Sequence, residues 1–224
     1  MKDLTPEDLN HLEKMEALEA VYLRSAGPYG ASGSSSSPSG WYRGRSPIIE
    51  AMPISGEFLD IGCAAGHLAT SLVEWGGARA LDLVPHGVDL SPALVERARR
   101  RLPEYRENFH VANAWLWEPP RTYDYVVVPV DILPPSQVED FVNRYLTTVV
   151  AVGGRLIVSG YLSAPGDATQ GEENPRDMLQ SMGFRVDGEN VGPPKERDGR
   201  WYCTRTVWLR NDGGGQVYRR AGGA

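Results

Sequence analysis

Apolar residues recur at intervals of three and four in the first stretch of the chain, at Leu9, Leu12, Met15, Leu18 and Tyr22. That spacing lays one stripe along a helix. Thr5-Pro6-Glu7-Asp8 supplies its start: a hydroxyl N-cap, a proline at the first helical position and acids in the first turn. From Gly27 to Gly40 the pattern stops, and GPYGASGSSSSPSG can bury little apolar surface. It reads as a flexible Gly/Ser loop. The helical segment, residues 1–26, is therefore tethered loosely to the rest of the chain, either as a fixed packing element or as a lid that orders over a ligand.

From Glu57 the pattern becomes an alternation. Phe58-Leu59-Asp60-Ile61 is a short strand that ends in glycines, and Leu68, Leu72 and Val73 mark a helix behind it. A second strand ends at Val88-Asp89; Ser91-Pro92 caps a helix whose Leu94, Val95, Ala98 and Leu102 share a face. Further strands are expected at 109–113, 123–129 and 149–159, the last partly a turn at Gly153-Gly154, with helices at 137–146 and 175–182 between them. Segments 184–191 and 201–209, joined by a turn-rich stretch from Gly192 to Gly199, close the fold as a hairpin. Such alternation predicts an α/β architecture: a Rossmann-like doubly wound sheet of about seven strands, mostly parallel with an antiparallel last strand, plus an N-terminal helical cap. The folded domain is expected over residues 41–210, with a disordered tail at 211–224.

Composition narrows the function. The 224 residues carry a formal net charge of −6, with 41% hydrophobic and 23% charged positions. An acidic chain of ordinary globular composition is a poor match to a phosphate backbone, so no nucleic-acid partner is expected. Cys63 and Cys203 are the only cysteines and stand in no metal-ligand spacing, so neither a zinc site nor a disulfide framework is expected. Neither a secretion signal nor an apolar run of membrane-spanning length is evident, which places the chain in the cytoplasm by expectation.

The chemistry concentrates in FLDIGCAAGHL, Phe58 to Leu68. A strand runs into Asp60, then Gly62, Ala64 and Gly66, then a helix; glycines here allow a tight turn and close backbone approach by a ligand. Asp89 ends the next strand, 23 residues after Gly66, an offset at which a carboxylate can accept hydrogen bonds from ribose hydroxyls. Together they point to a nucleoside-containing cofactor. Arg97, Arg99, Arg100 and Arg101 read as a solvated run that complements a helix C-terminus. His86 reads as a surface-loop residue, and Trp115 and Trp117 read first as packing.

With these residues in place the chain, from about Trp41 to Leu209, resembles the class I S-adenosylmethionine-dependent methyltransferases. Asp60-Ile61-Gly62-Cys63-Ala64-Ala65-Gly66 is similar to their acidic glycine motif, with Ala64 in place of the middle glycine. The resemblance implies that Asp60, Gly62, Cys63, Ala64 and Gly66 hold the methionine part of S-adenosylmethionine. It assigns Asp89 to the ribose, and Leu90, Asn113, Ala114 and Trp115 to the adenine. Pro129, after the strand Tyr123 to Val128, is then expected beside the transferring methyl. Trp41, Arg45, Pro47 and Ile48 match a lead-in associated with small bacterial members.

Methyl transfer, leaving S-adenosylhomocysteine, needs alignment and, for a hydroxyl acceptor, a base. Asp131, His67 and Tyr161 are the candidates, although His67 reads first as a helix first-turn residue. No Asp-Pro-Pro-Tyr or Asn-Pro-Pro-Tyr run follows the fourth strand. A small-molecule acceptor bound near Tyr22, Tyr29, Trp41 and Tyr42 is therefore expected, methylated on oxygen or nitrogen. The Arg-, Ala- and Gly-rich usage points to a high-GC bacterium and to specialised metabolism. The alternatives are an aminopropyltransferase on the same fold, or a silent partner that binds S-adenosylmethionine without reacting.

Overall fold

The computed structural model describes residues 5–25, 27, 30, 37–163, 174–197 and 200–214. Its elements run α1 (Pro6–Arg24), α2 (Pro38–Glu50), β1 (Gly56–Ile61), α3 (His67–Gly77), β2 (Leu83–Asp89), α4 (Pro92–Arg101) and β3 (Phe109–Val111). They continue with β4 (Tyr123–Pro129), α5 (Val138–Thr148), β5 (Val150–Ser163), α6 (Pro175–Ser181), β6 (Gly188–Val191), β7 (Lys195–Arg197) and β8 (Arg200–Arg210). The sheet order is β3-β2-β1-β4-β5-β8-β6, with β7 paired to β8. Strands β1 to β5 are parallel, and β8 inserts antiparallel between β5 and β6.

Alternation along the inner strands supplies two cores. Leu59, Ile61, Val126 and Val128 face one side and pack with Phe141, Val142 and Tyr145 of α5. Phe58, Tyr125, Val127 and Ile157 face the other, against Trp41, Ile48 and Ile49 of α2 and Leu72 of α3. A strand buried on both faces is apolar at every position, so Asp60, on the Phe58 side and only 2% exposed, breaks the rule.

Three expectations change. Residues 38–40, read as part of a loop over 27–40, belong to α2, which begins at Pro38. Ser37 caps it, its Oγ accepting from Gly40 N at 3.2 Å. Pro47 sits inside that helix. It leaves the Arg43 carbonyl without its helical donor, and the glycine backbone of Gly192 packs closely against that carbonyl. Asn211 and Asp212, read as part of a tail over 211–224, are held in place. Asn211 bonds to both Gly153 and Gly154 through its backbone and to Val150 O through its side chain, while Asp212 pairs with Arg185. His86 is no loop residue: it lies inside β2, 4% exposed, with Nε2 3.1 Å from Glu57 Oε2 and its ring edge-on to Tyr123.

Candidate functional site

Between β1 and α3 the chain makes a turn that several parts of the fold hold in place. Gly62 N and Cys63 N both donate to Val88 O, at 2.8 and 3.1 Å. Gly62 and Gly66 have φ of 71° and 73°, and Ala64 has φ of 45°. A left-handed alanine carries strain of about 1 kcal/mol that a glycine would not. The alanine that stands where the sequence resemblance expects a glycine is thus felt in the backbone itself. At Gly66 a Cβ would fall 2.8 Å from Ala98 Cβ and 3.0 Å from Ala98 Cα, so α3 can start this close to α4 only with glycine there. Asp89 accepts from Ala64 N and Ser91 N, each at 2.9 Å. Its two oxygens therefore fix the loop and the start of α4 together, and burial raises its pKa.

The loop opens onto a cleft. One wall is Trp41, Arg45 and Ile48 of α2 with Leu68; the floor is Asp60, Gly62, Cys63, Ala64 and Pro129; the far wall is Ser159, Gly160 and Thr204. Asp60 Oδ2 is buried there without a hydrogen-bond partner. Burial, reinforced by Asp89 and opposed by Arg45, pushes its pKa from 3.8 up to about 8. A carboxylate so placed calls for a cation, since an unpaired buried charge is among the costliest features a fold can hold. Arg45, stacked 5.2 Å over Trp41, supplies the opposite charge in the same cleft. An amino-acid zwitterion, ammonium toward Asp60 and carboxylate toward Arg45, fits this donor set.

On the other side of Asp89, Asn113 Oδ1 accepts from Trp115 N at 2.9 Å and shapes a turn. Tyr145 donates to Ala114 O at 2.7 Å, while Arg144 donates to the carbonyls of Trp115 and Trp117. Trp115 stacks on Phe141 at 5.9 Å. Leu90 is 62% exposed beside this turn. Asp89 thus ends β2, Leu90 follows it, and Asn113–Trp115 come just after β3; β2 and β3 are the two strands on one side of β1.

Other expected residues are placed less uniformly. Trp41 lines the cleft, its Nε1 donating to Ser71 Oγ at 2.9 Å and Ser71 in turn to His67 O at 2.9 Å. Tyr22 packs with Leu23 against Ala64, Ala65 and Leu94, beside the loop. Tyr42 does not join the pocket: its ring is set edge-on against Trp75, and 46% of the residue is exposed. Tyr29 lies outside the described residues. His67 contacts Trp41 from behind, at 4.6 Å between rings, and is not part of the cleft lining. Burial and Arg101 lower its pKa to about 4. Asp131 stands in the turn after β4, and Tyr161 stands in β5 opposite Thr204.

Of the arginine run only Arg100 is a solvated residue, its side chain 69% exposed beside Glu96; the other three are tied down. Arg97 donates to Tyr22 O and Leu23 O, Arg99 to Phe109 O, and Arg101 to Ala65 O. Arg144, Ser159 and Thr204 carry no sequence signal, because each acquires its role from a partner distant in the chain.

Residues 58–154 match the methyltransferase domain family. Trans-aconitate 2-methyltransferase of Methylobacterium radiotolerans is 41% identical over 68 residues, 30% of this chain. The match spans about a quarter (24%) of that relative's length. Among solved structures, the N-methyltransferase NodS of Bradyrhizobium japonicum with S-adenosyl-L-homocysteine superposes with a TM-score of 0.62 at 14% identity, covering 86% of this chain and 96% of its own. The [4+2]-cyclase SpnF superposes at 0.60 with 16% identity, covering 89% and 95%. These likenesses establish the fold; the cyclase illustrates that the fold alone does not fix the reaction.

Proposed function

We propose that this chain, which carries a class I S-adenosylmethionine-dependent methyltransferase domain with residues 58–154 matching that family, transfers the cofactor's methyl group to an oxygen or nitrogen atom of a small-molecule acceptor. The observation that carries the reading is the orphaned Asp60 carboxylate beside a loop of three left-handed residues. Asp60 and Arg45 would hold the two ends of the methionine moiety. Gly62 lets its backbone close on the ligand, Asp89 would accept from the ribose, and the Asn113–Trp115 turn would border the adenine. The cofactor supplies an electrophilic methyl on a sulfonium, so the protein's part is binding, orientation and exclusion of water.

For proton removal, Asp131 and Tyr161 are proposed from their chain positions near the carboxyl end of an inner strand, where open α/β sheets put their ligands. His67 is neutral at pH 7 and ready to accept a proton, but its low pKa makes it a weak base, and it stands behind Trp41. Its contribution is to hold Trp41.

Calorimetry with S-adenosylmethionine and S-adenosylhomocysteine tests the cofactor first, and Asp89→Ala should weaken both by at least about tenfold. If neither ligand binds, or the variant binds as the wild type does, the reading is wrong. Labelled-methyl assays over hydroxyl, amine and carboxylic acceptors, trans-aconitate included, then test transfer. Binding without transfer to any of them would favour a silent partner protein.

A further inference from the structure

The far wall of the cleft comes from two antiparallel strands and contains hydroxyls that the cofactor reading leaves unused. In the β5/β8 pairing Ser159 stands opposite Thr206, and Tyr161 opposite Thr204. Alternate positions of a paired strand share a face, so Ser159, Thr204 and Thr206 all project toward α2. Thr204 is 2% exposed, lines the cleft, and its Oγ1 has no hydrogen-bond partner among the described residues. Ser159, also buried, lines the same wall. Thr206 is likewise buried and unpartnered, but one step farther along the strand and away from the cleft. Polar groups this deep are ordinarily satisfied. A hydroxyl left open on a cleft wall is a place for a ligand's polar atom.

We propose that Ser159 and Thr204 form the acceptor-recognition subsite, and that the acceptor is a neutral, ring-sized molecule that presents a hydroxyl or carbonyl oxygen to them. The proposal rests on the methyl-transfer reading. Diagonal neighbours on an antiparallel pair lie about 7 Å apart, within reach of one ligand group set between them. A hydroxyl both donates and accepts, so either kind of oxygen is served. The formal charges lining the cleft, Arg45 and Asp60, are one of each sign. The zwitterionic end of the cofactor would match both, leaving no net charge for an ionic acceptor. The opposite wall, Trp41 with Ile48 and Leu68, is apolar and flat enough to lie against a ring.

The test is saturation-transfer NMR on the whole chain saturated with S-adenosylhomocysteine, with phenol, toluene, benzoate and benzylamine as probes. Phenol should bind at least about fivefold more tightly than toluene, and also ahead of both ions. Thr204→Val and Ser159→Ala should each remove that preference while the affinity for S-adenosylhomocysteine stays within about twofold. Thr206→Val, the same change off the cleft, should leave phenol binding intact. Thermal midpoints of both threonine variants should hold or rise, since an unpaired buried hydroxyl is being replaced by an isosteric methyl. Should Thr204→Val fail to fold, Ser159→Ala alone carries the comparison.

The proposal is overturned if phenol binds no better than toluene, if benzoate or benzylamine is preferred, or if Thr206→Val acts like Thr204→Val. It is also overturned if Thr204→Val weakens S-adenosylhomocysteine, which would assign the hydroxyl to the cofactor. Failure of the wild type to bind S-adenosylhomocysteine at all would sink the cofactor reading alone. The phenol comparison on the unliganded protein would still decide the role of the hydroxyls.

Discussion

Replacing Asp60 with asparagine should make the protein more stable and less able to bind its cofactor. Asp60 is enclosed, its Oδ2 has no hydrogen-bond partner among the described residues, and its pKa is shifted from 3.8 to about 8. One pKa unit corresponds to about 1.4 kcal/mol, so at pH 7, where the folded carboxyl is mostly protonated and the unfolded one is ionised, Asp60 costs the fold up to about 4 kcal/mol. The sign follows from the raised pKa. Stability contributed by protonated Asp60 is complete below 3.8, is lost as pH rises through about 8, and is flat beyond. Asparagine keeps the volume and ionises in neither state, but its amide is also unpaired at a cost of about 1–3 kcal/mol. The expected net gain is about 2 kcal/mol, or roughly 5 °C in a chain of this size. The gap over wild type should open between pH 5 and 8. In the same variant S-adenosylmethionine affinity should fall by about 10- to 100-fold, the worth of a charge-assisted hydrogen bond in a buried site. Wild-type affinity should itself rise with pH up to about 8, as the carboxylate ionises to meet the ammonium. Thermal unfolding over that pH range and calorimetry at pH 7 check each part. A variant that melts lower at every pH and binds within about twofold of wild type refutes the reasoning.

Other consequences are sharper for the loop and its supports. Ala64→Gly should relieve the φ of 45° and raise urea-unfolding stability by about 1 kcal/mol, with S-adenosylhomocysteine bound as well or better. Gly66→Ala should do the reverse, because Ala98 blocks the Cβ and φ is 73°, costing about 2–4 kcal/mol in the same titration. Arg144→Ala should lose about 2 kcal/mol and weaken S-adenosylhomocysteine by about tenfold, and lysine should not restore it, since one ammonium cannot replace a fork holding two carbonyls. Arg97→Ala should free the end of α1, whose last-turn carbonyls it satisfies. Amide exchange there should speed by about tenfold while the thermal midpoint moves by no more than about 2 °C.

What is legible in the sequence is local. The strand ends at Asp60 and Asp89 and the Ser91-Pro92 cap are signals that need only a few neighbouring residues. The same Ser-Pro signal at Ser37-Pro38 is masked, because the surrounding glycines and serines, and Pro47 beyond them, resemble a loop. His86, between a proline and a glycine, looks like a turn by composition. Its place is fixed instead by β1, whose Leu59 stands opposite it. The arginines of α4 illustrate the limit most clearly. Arg97, Arg99 and Arg101 each find a carbonyl contributed by another part of the chain, and no local pattern announces such a partner. Thr204 is the same case on the ligand side: its strand inserts between β5 and β6 out of chain order, and only that insertion brings it to the cleft.

The sheet order also explains why the unsatisfied groups gather where they do. Chain order runs outward from β1 in both directions, to β2 and β3 on one side and β4 and β5 on the other. The helices after β1 and β4 therefore leave on opposite faces and open a crevice at the carboxyl ends of those two strands. Asp60 and Pro129 sit at those ends, and the strained Ala64 closes the loop beside them. A fold could relieve each cost singly, with an apolar residue for Asp60, glycine for Ala64 and valine for Thr204. Because all three border one cleft, the economical explanation is a shared ligand that satisfies the two polar groups and gains from the loop's shape. If stabilising replacements at Asp60 and Thr204 each weaken a different ligand, cofactor for the first and phenol for the second, the cleft is one crevice with two adjoining compartments.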